Sequence, residues 1–283
     1  LNFYEEAVEM DVDTVYFGEV VCVKKRGLSF DDIARLAEAV EKAGKKAVIS
    51  TLAVVSNEDE LNFVRDAIKL PFAVEANDMS VLNMTQGTGK EVFAGPHITA
   101  YNAPTIEFLK SVGVKRVACP VELSKDSIAY NIKNTGVDTE VFAHGKLPLA
   151  FSWRCYASRA YGLNKTACRH DCARHVEGIE IKTLENEAVF TLNGTSILSA
   201  KTHTLIHDAA ELGGIGVKAL RISPQYKDTA KVVDLWRRLL DDRISIDEAL
   251  AGLNATTPEG FCNGWYHGAA GKEILTRVNA GPC

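Results

Sequence analysis

The chain has 283 residues, 46% hydrophobic and 24% charged, which suits a soluble globular fold of one large α/β domain or two small ones. Its net charge of −5 disfavours a grip on nucleic acid through many cationic contacts. No apolar run nears the ~20 residues of a membrane span. Seven unevenly spaced cysteines, with no signal peptide, read as free thiols in a reducing cytoplasm rather than as a secreted disulfide framework.

The first residues, LNFYEEAVEM, lack an initiator Met and read as a helix already under way. A strand follows in DTVYFG (13–18). The next helix has Ser29 as N-cap with Asp32 three residues on, then Phe30, Ile33, Leu36, Ala37 and Val40 at helical spacing, and a stop at Gly44. Further short apolar runs are KAVISTLAVV (46–55), PFAVEA (71–76), EVFAG (91–95), KRVACP (115–120), TEVFAHG (139–145) and KALRIS (218–223). They are rich in Val, Phe and Ile and too short for helices, as strands buried on both faces are. A late helix places Val232, Val233, Trp236, Leu239 and Leu240 on one face.

Strands alternating with helices at this short period imply a parallel sheet. Seven strands are visible, and a strand preceding residue 1 would complete a TIM-like (β/α)8 barrel. The expectation is therefore a barrel rather than an open doubly wound sheet. On this expectation residues 1–283 make a single barrel-like domain lacking its first strand. Residues 146–200 break the rhythm and read as an insertion in a late βα loop.

That insertion holds Cys155, Cys168 and Cys172 within eighteen residues. In a barrel it emerges at the same face as Cys22, so these four could form a set of thiolates. Cys119 lies in an apolar run and reads as a buried small hydrophobe. Cys262, in GFCNGWYHG, is a rival ligand, and Cys283 is terminal. Structural zinc favours two tight pairs, whereas one tight pair with two scattered cysteines also suits an iron–sulfur cube. Arg154, Arg159, Lys165, Arg169 and Arg174 form a basic collar against the single Asp171. Either centre would be anionic, so spacing leaves the metal open.

Polar residues end the strands: Glu19, Glu75 with Asn77 and Asp78, His97, Glu122, His144, and Ser223 with Gln225. In a barrel they converge on a pocket mouth. Asp78 and Ser124 equally suit helix caps. Glu75, His97, Glu122 and His144 are the candidate catalytic groups, the histidines as proton donors or acceptors near neutral pH. No H-E-x-x-H occurs, and no G-x-S-x-G follows a strand, so neither a zinc-peptidase nor a serine-hydrolase mechanism is legible. TGKE (88–91) is too short for a P-loop, and GGIG (213–216) reads as a helix end.

VYFGEVVC (15–22), PVELSKD (120–126), HGKLPLAFSWRCYASR (144–159), NGTSILSA (193–200) and RISPQ (221–225) resemble the collagenase-like U-32 peptidase family, in particular members that work in oxygen-independent ubiquinone biosynthesis. The resemblance implies a barrel-type fold and a 4Fe-4S cluster on Cys22, Cys155, Cys168 and Cys172. It also implies a cytoplasmic heterodimer with UbiU that hydroxylates a polyprenylated phenol. With no membrane segment, that substrate needs a lipid-presenting partner or a shared groove. Two other roles remain: an electron-relay or structural metal subunit, and an RNA-base hydroxylase of the same family. Acidic charge and the lack of a basic stripe with interleaved aromatics weigh against nucleic acid.

Overall fold

Four early helices begin where a side-chain oxygen can accept an otherwise orphaned backbone N–H. Ser29 accepts from Asp32 N and Asp32 returns the bond, closing a capping box. Asn57, Asp78 and Asn102 accept from Glu60, Ser80 and Thr105. These caps set the frame of the βα units in the computed structural model, which describes residues 2–18, 20–25, 28–164 and 167–276. The chain divides into two units, Leu1–Pro120 with Tyr130–Glu140, and Val121–Ala129 with Val141–Cys283.

The first unit runs α1 (Asn2–Glu9), β1 (Thr14–Phe17), α2 (Phe30–Lys42), β2 (Lys46–Ser50), α3 (Glu58–Lys69), β3 (Ala73–Ala76), α4 (Met79–Thr85), β4 (Val92–Ala94), α5 (Ala103–Ser111) and β5 (Val114–Ala118). Helix α6 (Lys125–Thr135) and strand β6 (Asp138–Gly145) pass through both units. Strands β1 to β6 pair in sequence order, each parallel to the next. One set of side chains faces the helices. Val15, Phe17, Ala47 and Ile49 pack with Ile33, Leu36, Ala37 and Val40 of α2. Val74, Val92, Ala94 and Val117 pack with Val64, Ile106 and Leu109. Each Leu, Ile or Val so buried contributes roughly 1.5–3 kcal/mol.

The alternate positions carry Tyr16, Glu75, Phe93, Arg116 and Glu140. Tyr16 on β1 reaches Glu140 on β6 at 2.5 Å, so this six-stranded sheet is curled. Arg116 lies over the Phe93 ring, 4.9 Å from its centroid, and 3.8 Å from Glu140. The run 46–55 is strand only to Ser50; Thr51 then ties back to Glu75 through N and Oγ1 as the chain leaves the sheet. At Gly18 (φ +125°) a Cβ would stand 2.5 Å from Ser50 O, so only glycine lets β1 turn away there.

The second unit contains β7 (Pro148–Phe151), α7 (Tyr156–Ala160), β8 (Ile179–Lys182), β9 (Ala188–Asn193), β10 (Ser196–Ser199), β11 (Thr202–Thr204), α8 (Ala209–Gly214), β12 (Ala219–Ile222), α9 (Thr229–Leu240), α10 (Ile246–Asn254) and β13 (Phe261–Cys262). The end of β6 pairs antiparallel with β11, which pairs parallel with β13; β12 also pairs with β6. The architecture is thus α/β with a mostly parallel sheet. It departs from a continued parallel (β/α)8 order after β6, because the next partner, β11, runs antiparallel to it.

The insertion 146–200 builds its own antiparallel sheet, ordered β7-β10-β9-β8. Asn193 pairs with Ser196 across a two-residue loop, and Gly194 (φ +65°) supplies its first position. The GGIG segment ends α8 as expected, with Gly216 at φ +95°. In α9 the buried face is Val232, Val233, Leu235 and Trp236. Leu240, expected inside, is 45% exposed, one turn past the packed stripe.

Candidate functional site

Glu75 lies on β3 of the first unit and is 1% exposed. Its carboxylate accepts Ser50 Oγ at 2.7 Å and Asn77 Nδ2 at 3.2 Å. Asn77 is buried too; Nδ2 also donates to Thr51 O, so two acceptors fix the amide orientation. Its Oδ1 therefore faces away, without a hydrogen-bond partner, against Gly95 after β4: a Cβ at Gly95 would stand 2.1 Å from it. Ser50, Thr51, Asn77 and Gly95 thus hold Glu75 where β2, β3 and β4 end. Ser50 and Thr51 escaped the sequence reading, although hydroxyls inside an apolar run were the signal. His97 follows in a 3-10 turn (Pro96–Ile98), half-buried. Asp78 caps α4. Glu19 lies outside the described residues.

The remaining candidates belong to the second unit. Glu122 is exposed in the loop before α6. His144, on β6, is 1% exposed, with Nδ1 3.2 Å from Thr204 Oγ1 and Nε2 buried without a hydrogen-bond partner. Trp236 and Phe261 lie edge-on to its ring. Burial, then the neighbouring His203, pushes its pKa down to about 4. His203 on β11 is likewise held at about 4, chiefly by burial. Both are neutral imidazoles at pH 7, and as it stands His144 is packed in the core rather than at a pocket mouth. Ser223 N donates to His144 O, while Gln225 binds Thr229 and Thr256 and so braces the start of α9. Ser124 caps α6 through Ser127 N.

The six described cysteines form no disulfide. Cys119 is buried, its thiol pushed up to about 12 by burial and then by Glu140; Cys262, on β13, is pushed up to about 11 by burial. Cys22 is buried in the loop after β1. Cys155 caps α7, its Sγ accepting Ser158 N at 3.4 Å, and Tyr156 N binds Gly194 O at the β9–β10 turn. Cys168 Sγ accepts His170 N at 3.3 Å, and Cys172 sits in the 3-10 turn Asp171–Arg174. Thiols already receiving backbone N–H suit anionic, metal-bound sulfur by type. Among the described residues, no group of three or more His, Cys, Asp and Glu side chains is placed to hold a metal ion.

The surface around these thiols is distinctive. Arg154, Arg159, Arg169, His170 and Arg174 are exposed, with Trp153 (44% exposed) and Tyr161 (42%) among them. Arg174 lies over the Tyr161 ring, 5.4 Å from its centroid, and 3.5 Å from the buried Asp171. Tyr161 OH is 2.7 Å from His175 Nε2. Lys165, the fifth member of the collar, is outside the described residues. The aromatics missed in the sequence are therefore solvent-facing and interleaved with cations. No described helix is long and apolar enough to cross a membrane.

Comparison with known proteins adds a family. The 23S rRNA 5-hydroxycytidine C2501 synthase of Escherichia coli (strain K12) is 26% identical over 266 residues, covering 90% of this chain and 40% of that one. A collagenase of Porphyromonas gingivalis is 25% identical, covering 97% of this chain and 73% of that one. A tRNA hydroxylation protein P of Helicobacter pylori is 29% identical over 174 residues, covering 54% of this chain and 40% of that one. The chain thus spans well under half the length of the two RNA-related relatives. A solved U32 peptidase structure superposes with a TM-score of 0.40 at 10% identity, over 50% of this chain and 63% of that one. The model of peptidase family U32 matches residues 1–276, and the chain belongs to that family.

Proposed function

We propose that this chain is part of an RNA-base hydroxylase and that residues 153–175 are its RNA contact. The observation that carries the reading is the exposed set Arg154, Arg159, Arg169 and Arg174 interleaved with Trp153 and Tyr161. Guanidinium groups pair with phosphates, and exposed aromatic rings stack on unpaired bases. Five Lys/Arg against one Asp make this segment basic in a chain whose net charge is −5. The local field thus favours what the whole-chain charge argued against, and the expectation that excluded nucleic acid is replaced. The names of relatives from Escherichia coli and Helicobacter pylori support the same direction.

A 4Fe-4S cluster on Cys22, Cys155, Cys168 and Cys172 is part of this proposal, supported by the sequence resemblance and by the N–H groups aimed at Cys155 and Cys168. Bound there, it would supply electron transfer; the collar would offset its negative charge. A UbiV-like role beside UbiU, hydroxylating a polyprenylated phenol, is the second reading, favoured by the stretches at 15–22 and 144–159.

Anisotropy of a labelled single-stranded RNA tests the interface. Affinity should fall steeply between about 50 and 200 mM salt. Replacing Arg154, Arg159 and Arg169 together by Ala should weaken binding and flatten the log–log salt slope by about 2, at ~0.7 per lost phosphate contact. Binding with an unchanged slope in that variant refutes the assignment.

A further inference from the structure

Within the second unit a cavity of about 340 Å³ opens between the insertion sheet and the segment after β13. That volume lies inside the roughly 300–1,000 Å³ range of small-molecule sites. Leu147, Leu149, Val189, Phe190 and Trp265 line it, with Cys262 in its wall. Val189 and Phe190, consecutive on β9, are 38% and 40% exposed.

The hydroxyls and the thiol of the wall are already engaged. Ser199 Oγ accepts Leu147 N and donates to Lys201 O. Thr183 Oγ1 accepts Glu187 N, and the Cys262 thiol is directed at Lys201 O. The wall therefore has little with which to read the ring heteroatoms of a base or sugar, and a hydrocarbon body fits it best. Charge is confined to the lysines and Glu187. Lys272 pairs with Glu187 at 2.9 Å, and Lys201 Nζ donates to Lys272 O at 3.2 Å. Two ammonium groups stand against one carboxylate, which favours an anionic end on the ligand.

We infer that this cavity binds a medium-chain aliphatic carboxylate. Its chain lies among Leu147, Leu149, Val189, Phe190 and Trp265, and its carboxylate meets Lys201 and Lys272. This site is independent of the RNA contact and of any metal.

Calorimetric titration of the whole protein with hexanoate, octanoate and decanoate tests the site, with decyltrimethylammonium as the cationic counterpart. One saturable site is expected, tightening by about fourfold for each methylene added. The cation should bind at least about tenfold more weakly than decanoate. Ala188→Trp, which fills the cavity from β9, should abolish binding, and Lys201→Glu should weaken it about tenfold while circular dichroism stays unchanged. The ligand series in the wild-type protein decides the matter even if a variant fails to fold. Absence of saturable binding, equal affinity for the cation, or binding only to phosphatidylglycerol vesicles overturns the proposal.

Discussion

Tyr16 on β1 donates its phenolic hydrogen to Glu140 on β6 at 2.5 Å, although four strands lie between them in the sheet. In a flat sheet five strand spacings would separate them by about 24 Å. Curling brings the two side chains together and gives the first unit a polar inner face. Glu140 is only 3% exposed, and Arg116 lies 3.8 Å from the same carboxylate. Tyr16→Phe should destabilise the protein by about 1–3 kcal/mol, the cost of leaving a buried carboxylate short of a donor. Urea unfolding reads this as a lower midpoint at constant slope; an unchanged midpoint would show that the contact contributes nothing.

Gly95 is required by Asn77 rather than by its own backbone, whose φ of −75° suits any residue. A methyl there would stand 2.1 Å from Asn77 Oδ1 and 2.9 Å from Glu75 Cγ. Gly95→Ala should therefore cost about 1–3 kcal/mol by overpacking. In an Asn77→Ala background the same change should cost at least about 0.5 kcal/mol less, as coupled neighbours do. Strict additivity would separate the glycine from the Glu75 cradle.

Stability should fall on acidification because of His144 and His203. Their folded pKa values of about 4 lie below the ordinary 6.5, so the unfolded chain binds more protons between these limits. Their neutral forms cost nothing extra above pH 6.5, and stability is lost as pH falls from about 6.5 to about 4. Two and a half pKa units correspond to ~3 kcal/mol per histidine as an upper figure. Denaturation midpoints from pH 7 to 4.5 should drop for the wild type and drop less for His203→Gln. A flat wild-type profile would contradict this.

Much of the first unit was legible because its signals are local. Ser29 and Asp78, read as caps from the sequence, bond within three residues of themselves, and the Val-rich runs stand out at short range. The Tyr16–Glu140 contact spans 124 positions, and nothing near either residue announces it. Strand β11, THT at 202–204, is too short and too polar to stand out, so the antiparallel return after β6 was hidden. Asn193–Gly194 is a local hairpin signal inside 146–200, which the reading of that segment as a loop insertion left out. The collar was legible as charge; the exposure of Trp153 and Tyr161 was not, since either could have been core.

Anaerobic purification followed by iron and acid-labile sulfide analysis checks the thiol assignment. About four of each per chain are expected, with loss in Cys155→Ala, Cys168→Ala, Cys172→Ala and Cys22→Ala. Cys119→Ala should retain the iron at a cost of about 1 kcal/mol in stability, and Cys262→Ala should retain it too. Zinc without sulfide, or iron lost only in Cys262→Ala, would contradict the ligand set.

The central claim, hydroxylation of an RNA base with residues 153–175 holding the RNA, is tested most directly by mass spectrometry of nucleosides from cells lacking this protein. A hydroxylated base should disappear from ribosomal or transfer RNA. It should return with the wild-type chain and fail to return with Arg154, Arg159 and Arg169 replaced by Glu at equal protein level. Unchanged RNA together with accumulation of unhydroxylated ubiquinone precursors in those same cells would contradict the account.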